Sequence, residues 1–141
     1  MPITDPDHFP KTGALIGIDP GTKTLGIASA DGLRMLASPV ETIPRGKKLA
    51  PVLDRLFHLY DDRVAVGIVM GLPLNMDGSE GPRAQSVRAL AWHIMKRRLS
   101  TVEAENAMIE ADLSRKRRAE RIDASAAAVI LNDALQRLAR T

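Results

Sequence analysis

The stretch ALIGIDPGTKTLGIA, residues 14–28, decides the fold of this chain. A short apolar run ends in Asp19, the chain turns through a proline and a glycine, and a second apolar run follows. Two short apolar runs around such a turn predict paired strands over 14–18 and 25–29. Asp19 then stands at the carboxyl end of a strand, where open α/β sheets gather their ligand sites. An acid at this place can hold a metal, lie beside a phosphate, or simply close the turn.

The remaining apolar pattern predicts further strands and helices. The run over 64–71 is apolar without alternation, which is typical of a strand buried on both faces, so we expect it at the centre of the sheet. Ser100 and Glu103 have the spacing of a capping box and predict a helix through about residue 111. The other predicted elements are a strand over 37–43 and helices over 47–60, 83–95 and from Asp123 onward. We therefore expect an α/β fold whose first three strands form a meander.

The composition narrows the class of protein further. The 141 residues suit a single domain over residues 1–141, in which residues 1–12, polar and broken by prolines, form a flexible tail. There is no apolar run of about eighteen residues and no basic-then-apolar leader, so we expect a cytoplasmic protein without membrane contact. The sequence has no cysteine, and its three histidines show no ligand spacing, so any bound metal would have oxygen ligands.

Positive charge is concentrated in the second half of the chain. Residues 1–80 contain 8 Lys and Arg against 10 Asp and Glu, whereas residues 81–141 contain 12 against 7. Much of the excess lies in one basic stretch, SRKRRAER over 114–121. Such a cluster suits the phosphate backbone of a nucleic acid, although a solvated loop explains most runs of charge. The consecutive cations of the basic stretch are Arg115, Lys116, Arg117 and Arg118.

A second acid, Asp123, stands near the other end of the chain, in IDASAAAVIL. An aspartate at the start of a helix can simply cap that helix, just as Asp19 can simply close its turn. The small residues after Asp123, however, would let its helix lie close to the sheet and bring its carboxylate toward the strand ends. The two acids could then share a divalent ion.

Four segments of the chain, in this order, resemble the YqgF/RuvX family of Holliday-junction resolvases, which are also described as pre-16S rRNA nucleases. They are GIDPGTKTLGIA, GLPLNMDGSEGPRA, RLSTVEAE and IDASAAAVIL. The run GLPLNMDG over 71–78 is too specific to be a coincidence. The resemblance implies a ribonuclease H-like fold, in which three antiparallel strands lead into parallel strands with helices on both faces.

The resemblance also implies a metal-dependent nuclease that hydrolyses phosphodiester bonds. Asp19 matches the acid of the first strand, Asp123 the acid of the last helix, and Lys23 the basic residue after the turn. Thr24 stands where the family has an arginine. We expect Asp19 to bridge two Mg²⁺ or Mn²⁺ ions about 3.5–4 Å apart and Asp123 to bind one of them. Lys23 would lie near the scissile phosphate.

The long loop after the 64–71 strand is the expected rim for the substrate. Asn75 and Asp77 are candidate substrate-binding residues, although such residues in a turn are more often structural. The substrate would be structured nucleic acid, either branched DNA or a pre-16S rRNA, bound by a monomer or a homodimer. The main alternative is a module that keeps the fold and binds nucleic acid but has lost its chemistry. A similar turn opens the actin and sugar-kinase ATPases, but these need two lobes, and this chain has room for one.

One expected strand has no place in the sequence. In the family, RLSTVEAE is preceded by a strand that ends in Asp-Glu, whereas here only residues 96–98 separate the preceding helix from Leu99. No strand of about five residues fits there. Either the protein lacks this strand, or about a dozen residues are absent at this point, and the structure should then show a break between Met95 and Leu99.

Two considerations favour the break. Without a further strand, the 64–71 strand would be a sheet edge with unpaired hydrogen-bonding groups, although it is apolar on both faces. The site would also have two acids where a two-metal centre needs three, and Glu103 and Glu105 lie on a helix beyond the strand end. A continuous backbone through residues 96–98 would contradict the prediction and favour the binding module over the nuclease.

Overall fold

The computed structural model describes residues 7–75, 77–98, 108–112 and 125–140. The described strands are β1 (Ala14–Pro20), β2 (Thr24–Ala30), β3 (Ser38–Pro44), β4 (Ala65–Leu72) and β5 (Met108–Asp112). The described helices are α1 (Leu49–Asp62), α2 (Pro82–Arg98) and α3 (Ala126–Leu138). Up to the end of α2, every predicted strand and helix is confirmed, with bounds that move by a few residues.

The strands form one mixed sheet in the order β3-β2-β1-β4-β5. β1 and β2 pair antiparallel, with Asp19 opposite Gly26, and β2 and β3 also pair antiparallel. β4 runs parallel to β1, with Ile18 beside Met70, and β5 runs parallel to β4. The topology implied by the resemblance is thus confirmed. The central strand is β1 and not β4, because burial on both faces requires only an interior position, which β4 has between β1 and β5.

Helices cover both faces of the sheet. α1 and α2 pack on one face, against Ile16, Ile18 and Met70 among others. α3 packs on the other face, against Leu15 and Val69. Successive residues of a strand point to opposite faces, so each interior strand contributes to both layers of the core. The apolar residues that follow one another at helical spacing in α2 are all buried, namely Ala84, Val87, Leu90, Ala91 and Ile94.

α3 lies close to the sheet because the residues that meet there are small. A Cβ atom on Gly17 would lie 2.9 Å from Leu131 Cβ and 3.1 Å from the carbonyl oxygen of Ala127. These distances leave no room for a side chain at this point of β1. Ala127 and Ala128 are themselves buried. The small residues at the start of the last helix therefore bring it onto the sheet, as the sequence predicts.

α3 begins later than the sequence predicts. Ser125 is its N-cap, and the Ser125 hydroxyl oxygen accepts a hydrogen bond from the backbone N–H of Ala128 at 3.1 Å. Serine and aspartate are equally good N-caps, so the cap can fall on Ser125 and leave Asp123 two residues before it. Asp123 itself lies outside the described residues.

Residues 108–112 form a strand, where the sequence predicts the end of a helix. β5 extends the sheet beside β4, with Ile68 opposite Met108 and Leu72 opposite Asp112. The helix prediction is wrong here because a capping box indicates only where a helix starts and not how far it continues. Pairing with β4 provides hydrogen bonds to backbone groups that an exposed edge would leave unpaired. Local sequence propensity does not include this stabilisation. The capping-box residues, within 99–107, lie outside the described residues.

The predicted break between Met95 and Leu99 is contradicted from Met95 to Arg98, and the step to Leu99 lies outside the described residues. α2 continues without interruption through Met95 to Arg98. The partner that β4 needs on its outer edge comes from further along the chain, as β5. β4 therefore has the flanking strand that its apolar faces predict, but this strand does not come before Leu99.

Phe9 adds to the core near the beginning of the chain. The residue is 2% exposed and packs in the layer between the sheet and α3. A Cβ atom on Gly67 of β4 would lie 2.6 Å from Phe9 Cζ, so the ring fills the space that this glycine leaves. One residue of the segment expected to be a flexible tail is therefore buried.

Candidate functional site

Asp19 lies at the carboxyl end of the central strand, on the α3 face of the sheet. The residue is half-buried, and its Oδ1 atom is buried. Its partner on β2 is Gly26, where a Cβ atom would lie 3.5 Å from Asp19 Cβ and 3.9 Å from Ala127 Cβ. The missing side chain leaves room for a ligand to approach. Asp19 and the first turn of α3 therefore come together at one end of the sheet.

The turn after β1 is closed by its own backbone. The N–H of Gly21 donates to the carbonyl oxygen of Thr24 at 2.9 Å, and a Cβ atom on Gly21 would lie 2.8 Å from that oxygen. Only glycine allows this approach without a shift of the backbone. Lys23 is exposed on the turn, so its ammonium group is carried at the same end of the sheet as Asp19.

Two arginines that were not predicted from the sequence as site residues hold the same turn. Arg45 follows β3 and donates from Nη1 to the carbonyl oxygen of Gly21 at 2.7 Å. Arg83, in the first turn of α2, donates from Nη2 to the carbonyl oxygen of Pro20 at 2.7 Å. The backbone N–H of Arg45 also donates to the carbonyl oxygen of Lys23 at 2.8 Å. Because both arginines are distant from the turn in sequence, only the tertiary structure brings them there.

The loop after β4 extends from the same edge of the sheet and contains Asn75 and Asp77. Asp77 Oδ1 accepts hydrogen bonds from the hydroxyl of Ser79 at 2.6 Å and from its backbone N–H at 2.9 Å, which hold the pKa of Asp77 below its usual value. Asn75 donates from Nδ2 to the Ser79 hydroxyl at 3.0 Å. Both side chains thus stabilise the loop, and their binding to substrate stays a prediction.

β5 carries two acids that the sequence places near or beyond the end of a helix, Glu110 and Asp112. Glu110 accepts a hydrogen bond from Arg88 of α2. Burial raises the pKa of Glu110 above its usual value, and the charge of Arg88 opposes this rise. Because α2 and α3 lie on opposite faces of the sheet, Glu110 is turned away from Asp19 and cannot share a metal ion with it. Asp112 is the last residue of β5.

On the α3 face, the residue of β5 that is level with Asp19 is an alanine. Ile18 is beside Met70, and Gly71, the next residue of β4, is beside Ala111. Ala111 is buried in the layer under α3. Within the described ranges, no group of three His, Cys, Asp or Glu side chains is placed to hold a metal ion.

The other predicted site residues lie outside the described part of the chain. Asp123 and the basic stretch fall in the interval between residues 112 and 125. Ser125, which caps α3, is the described residue nearest to Asp123 in sequence. In the part of the chain that the structure describes, no helix is long and apolar enough to cross a membrane.

The sheet order, the helices on both faces and an aspartate at the carboxyl end of the central strand define an α/β domain of the ribonuclease H-like class. The model of the RuvX family, described as Holliday junction resolvase, matches residues 13–137. The chain therefore belongs to the RuvX family, as the four sequence segments indicate.

Curated relatives match along most of the chain. A "Putative pre-16S rRNA nuclease" of Paracoccus denitrificans is 52% identical over 142 residues, which cover 94% of this chain and 89% of the relative. A protein of the same name from Rhodobacter capsulatus is 54% identical and covers 93% of this chain and 88% of its own length. The alignment with the Paracoccus protein is 142 positions long, but it includes only 94% of the 141 residues of this chain. Some aligned residues of the Paracoccus protein therefore have no counterpart in this chain.

Solved structures share the fold at low sequence identity. "T. thermophilus RuvC in complex with Holliday junction substrate" superposes with a TM-score of 0.55 at 15% identity, over 92% of this chain and 97% of that chain. The Thermus thermophilus RuvC structure gives 0.52 at 12% identity, over 91% and 97%. At these identities the likeness concerns the fold alone, and it confirms the ribonuclease H-like arrangement.

Proposed function

We propose that this member of a nuclease family is a divalent-metal-dependent endonuclease that hydrolyses phosphodiester bonds in structured nucleic acid. The observation that carries the proposal is the position of Asp19, at the carboxyl end of the central strand and beside the first turn of α3. The names of the relatives favour a pre-16S rRNA as substrate, and the description of the family favours a four-way DNA junction. The proposal covers both.

The residues at this end of the sheet fit a hard cation. Mg²⁺ and Mn²⁺ prefer oxygen ligands, and Mg²⁺ is commonly held by one or two carboxylates while it keeps several waters. Asp19 supplies one half-buried carboxylate. Asp123 precedes Ser125 by two residues, a span of at most about 7 Å, so it can supply a second carboxylate near the start of α3. When bound, such an ion supplies charge stabilisation at the phosphoryl group and an activated water.

The chain's own positive groups would stabilise the negative charge that develops on the phosphate. Lys23 is exposed on the turn that follows Asp19 and would bind a phosphate oxygen of the cleaved group. The first turn of α3 adds the partial positive charge of a helix N-terminus at the same end of the sheet. The helix N-terminus is fixed in place before the reaction, so it stabilises a developing charge without reorganisation cost.

The second candidate function is a nucleic-acid-binding module without catalytic activity. It is favoured by the buried Ala111, which occupies the place on β5 where a further acid could face Asp19. The continuous backbone of α2 through Arg98 also favours the binding module, because α2 leaves no place for a further strand, with a further acid, before Leu99. Binding of nucleic acid with Mg²⁺ present but without any cleavage would identify this module.

Asp19→Asn tests the proposed function with little change in volume. We expect it to lower kcat roughly a thousandfold or more, because about 4 kcal/mol of transition-state stabilisation depends on the metal. Its matched control is Asp62→Asn, which changes an exposed aspartate at the end of α1 and should retain full activity. Binding of Mn²⁺, followed by electron paramagnetic resonance, should weaken in Asp19→Asn alone. Full activity of Asp19→Asn would overturn the assignment of the site.

The substrate is decided by direct comparison. A labelled four-way DNA junction and a labelled RNA with the 16S 5′ precursor sequence should be incubated side by side with Mg²⁺ or Mn²⁺. We expect cleavage of one of them, and its loss on chelation of the metal. Absence of cleavage of both, with binding retained, would support the second candidate function.

A further inference from the structure

The described arginines that make hydrogen bonds or ion pairs differ in the charge of their partners. One group pairs with carboxylates, in the pairs Arg55–Glu41, Arg63–Asp62, Arg88–Glu80, Arg88–Glu110 and Arg97–Asp54. The other group donates to backbone carbonyl oxygens and pairs with no carboxylate of the described residues; it consists of Arg34, Arg45 and Arg83. Arg34 lies at the opposite end of the sheet, where it donates to Gly13 just before β1. Arg45 and Arg83 are therefore the members of this group that lie at the candidate site.

Arg45 and Arg83 converge on one turn from two different elements. They donate to adjacent carbonyl oxygens, of Gly21 and Pro20, each at 2.7 Å. Both side chains are half-buried. Among the described residues, no carboxylate forms an ion pair with either guanidinium. Because a carbonyl oxygen takes up one N–H donor and carries no charge, the contacts within the described ranges leave most N–H donors and the positive charge of each guanidinium available to a ligand.

The geometry points to Arg45 and Arg83 as a phosphate-binding pair that holds the nucleic-acid backbone at a phosphate beside the one that is cleaved. This inference rests on the proposed nuclease function. Pro20 and Gly21 directly follow Asp19 in the chain, so the two guanidinium groups are held at the same end of the sheet as the site acid. Guanidinium groups bind phosphate oxygens through paired N–H donors, which makes arginine suited to this ligand.

The carbonyl bonds explain why these arginines are good binding groups as well as supports of the turn. A free arginine side chain loses rotamer entropy when it is fixed. Here the bonds to the turn have already fixed both guanidinium groups, so a phosphate would bind with less entropic cost. A purely structural role would require the hydrogen bond and not the charge, and this difference makes the inference testable.

Arg45→Gln and Arg83→Gln remove the positive charge, but a glutamine side chain is too short to reach the carbonyl oxygen that an Nη atom binds. Arg45→Lys and Arg83→Lys keep the charge, so comparison of the glutamine and lysine variants separates the charge from the support of the turn. The matched control is Arg55→Gln, whose charge is already neutralised by Glu41 through hydrogen bonds of 2.7 and 2.5 Å. Dissociation constants for the labelled four-way junction and the 16S precursor RNA should be measured by fluorescence anisotropy against salt concentration. Chelator in the buffer prevents cleavage, and thermal unfolding verifies that each variant is folded.

We expect each of the two site variants to bind roughly tenfold more weakly and to lower the log–log salt slope by about one unit. Arg55→Gln should match the parent protein. In cleavage assays, Arg45→Gln and Arg83→Gln should raise KM more than they lower kcat, and Arg83→Lys should recover part of the affinity. Unchanged affinity and slope in both glutamine variants would overturn the inference and leave the arginines as supports of the turn.

The outcomes also separate this inference from the proposed function. Weaker binding by the two variants, in a protein that binds nucleic acid but cleaves neither substrate, would support the phosphate-binding pair and contradict the nuclease. A parent protein that binds neither nucleic acid would contradict both. Competition by a polyglutamate peptide as strong as that by DNA of equal charge would show a general anion site and overturn the assignment to nucleic acid.

Discussion

Asp19 and Glu110 are acids on two parallel strands of one sheet, yet their surroundings give them different properties. Asp19 faces α3 and has glycine on the neighbouring strand. Glu110 faces α2, where Arg88 binds it. Successive side chains of a strand alternate between the faces, so one residue decides on which side an acid lies. An acid can therefore lie near the carboxyl edge of the sheet and still face away from the proposed metal site.

Glu110→Gln should leave the protein equally stable or more stable at pH 7. Burial raises the pKa of Glu110 in the folded protein above its unfolded value, so the ionised carboxylate is disfavoured by folding at neutral pH. As the pH falls through the raised pKa, the parent protein takes up the proton and its disadvantage relative to Glu110→Gln should shrink. The free energy of unfolding in urea, measured from pH 7 to pH 4, tests this.

Glu41→Gln is the control with the opposite sign. The hydrogen bond from Arg55 lowers the pKa of Glu41, so its ionised form stabilises the fold above the unfolded pKa, and this contribution disappears as the pH falls through the lowered pKa. Glu41→Gln should therefore be no more stable than the parent at pH 7. A loss of stability at pH 7 in Glu110→Gln greater than that in Glu41→Gln would contradict the role of burial at Glu110.

At the scale of the elements, the site depends on how closely α3 approaches β1. Gly17, Ala127 and Ala128 leave so little volume between helix and sheet that the start of α3 lies against Asp19. The hydroxyl of Ser125 caps the N-terminus of α3, so the helix begins at this edge of the sheet. A substitution that moves α3 away from the sheet would also move Ser125, the described residue nearest in sequence to Asp123.

Gly17→Ala should lower the free energy of unfolding by about 1–3 kcal/mol, because the added methyl group overpacks the interface with α3. The new Cβ atom would meet Leu131 Cβ at 2.9 Å and the carbonyl oxygen of Ala127 at 3.1 Å. Gly32→Ala is the matched control, since a Cβ atom on Gly32 meets nothing within 4 Å. Urea denaturation measures both. Equal stability of the two variants would show that α3 is free to move away from the sheet.

At the scale of the whole molecule, charge is arranged along the chain so that the acid-bearing first half is balanced by a basic second half. Arg45 and Arg83 bring positive charge to the turn beside Asp19. The basic stretch lies in sequence directly before Asp123 and Ser125. Ser125 lies at the carboxyl edge of the sheet. The basic stretch therefore precedes, in sequence, a residue at the end of the sheet where the proposed site lies.

Replacing the basic stretch with alanine should weaken binding to all nucleic-acid sequences alike. The log–log salt slope should fall by roughly one unit for every phosphate that the altered protein no longer neutralises. Arg137→Ala with Arg140→Ala is the control, because these cations lie at the far end of α3. Unchanged affinity and slope on replacement of the basic stretch would show that it is a solvated segment. The replaced residues are Arg115, Lys116, Arg117 and Arg118.

The sequence alone determined the order of the elements up to the end of α2 and the position of the first acid of the candidate site. Apolar periodicity and turn residues are local signals, so they predicted β1 to β4, α1 and α2, and they put Asp19 at the end of a strand. The small residues after Asp123 likewise predicted the close approach of the last helix.

Only the tertiary structure decided where β5 comes from and which groups surround the turn. β5 forms because the edge of β4 gains hydrogen bonds from it, and that gain depends on a partner distant in sequence. Arg45 and Arg83 bind the turn through single hydrogen bonds across long sequence separations, which leave no periodic pattern. The face of the sheet on which Glu110 lies could not be predicted either. Its segment was assigned to a helix, in which side chains repeat with a different period from that of a strand.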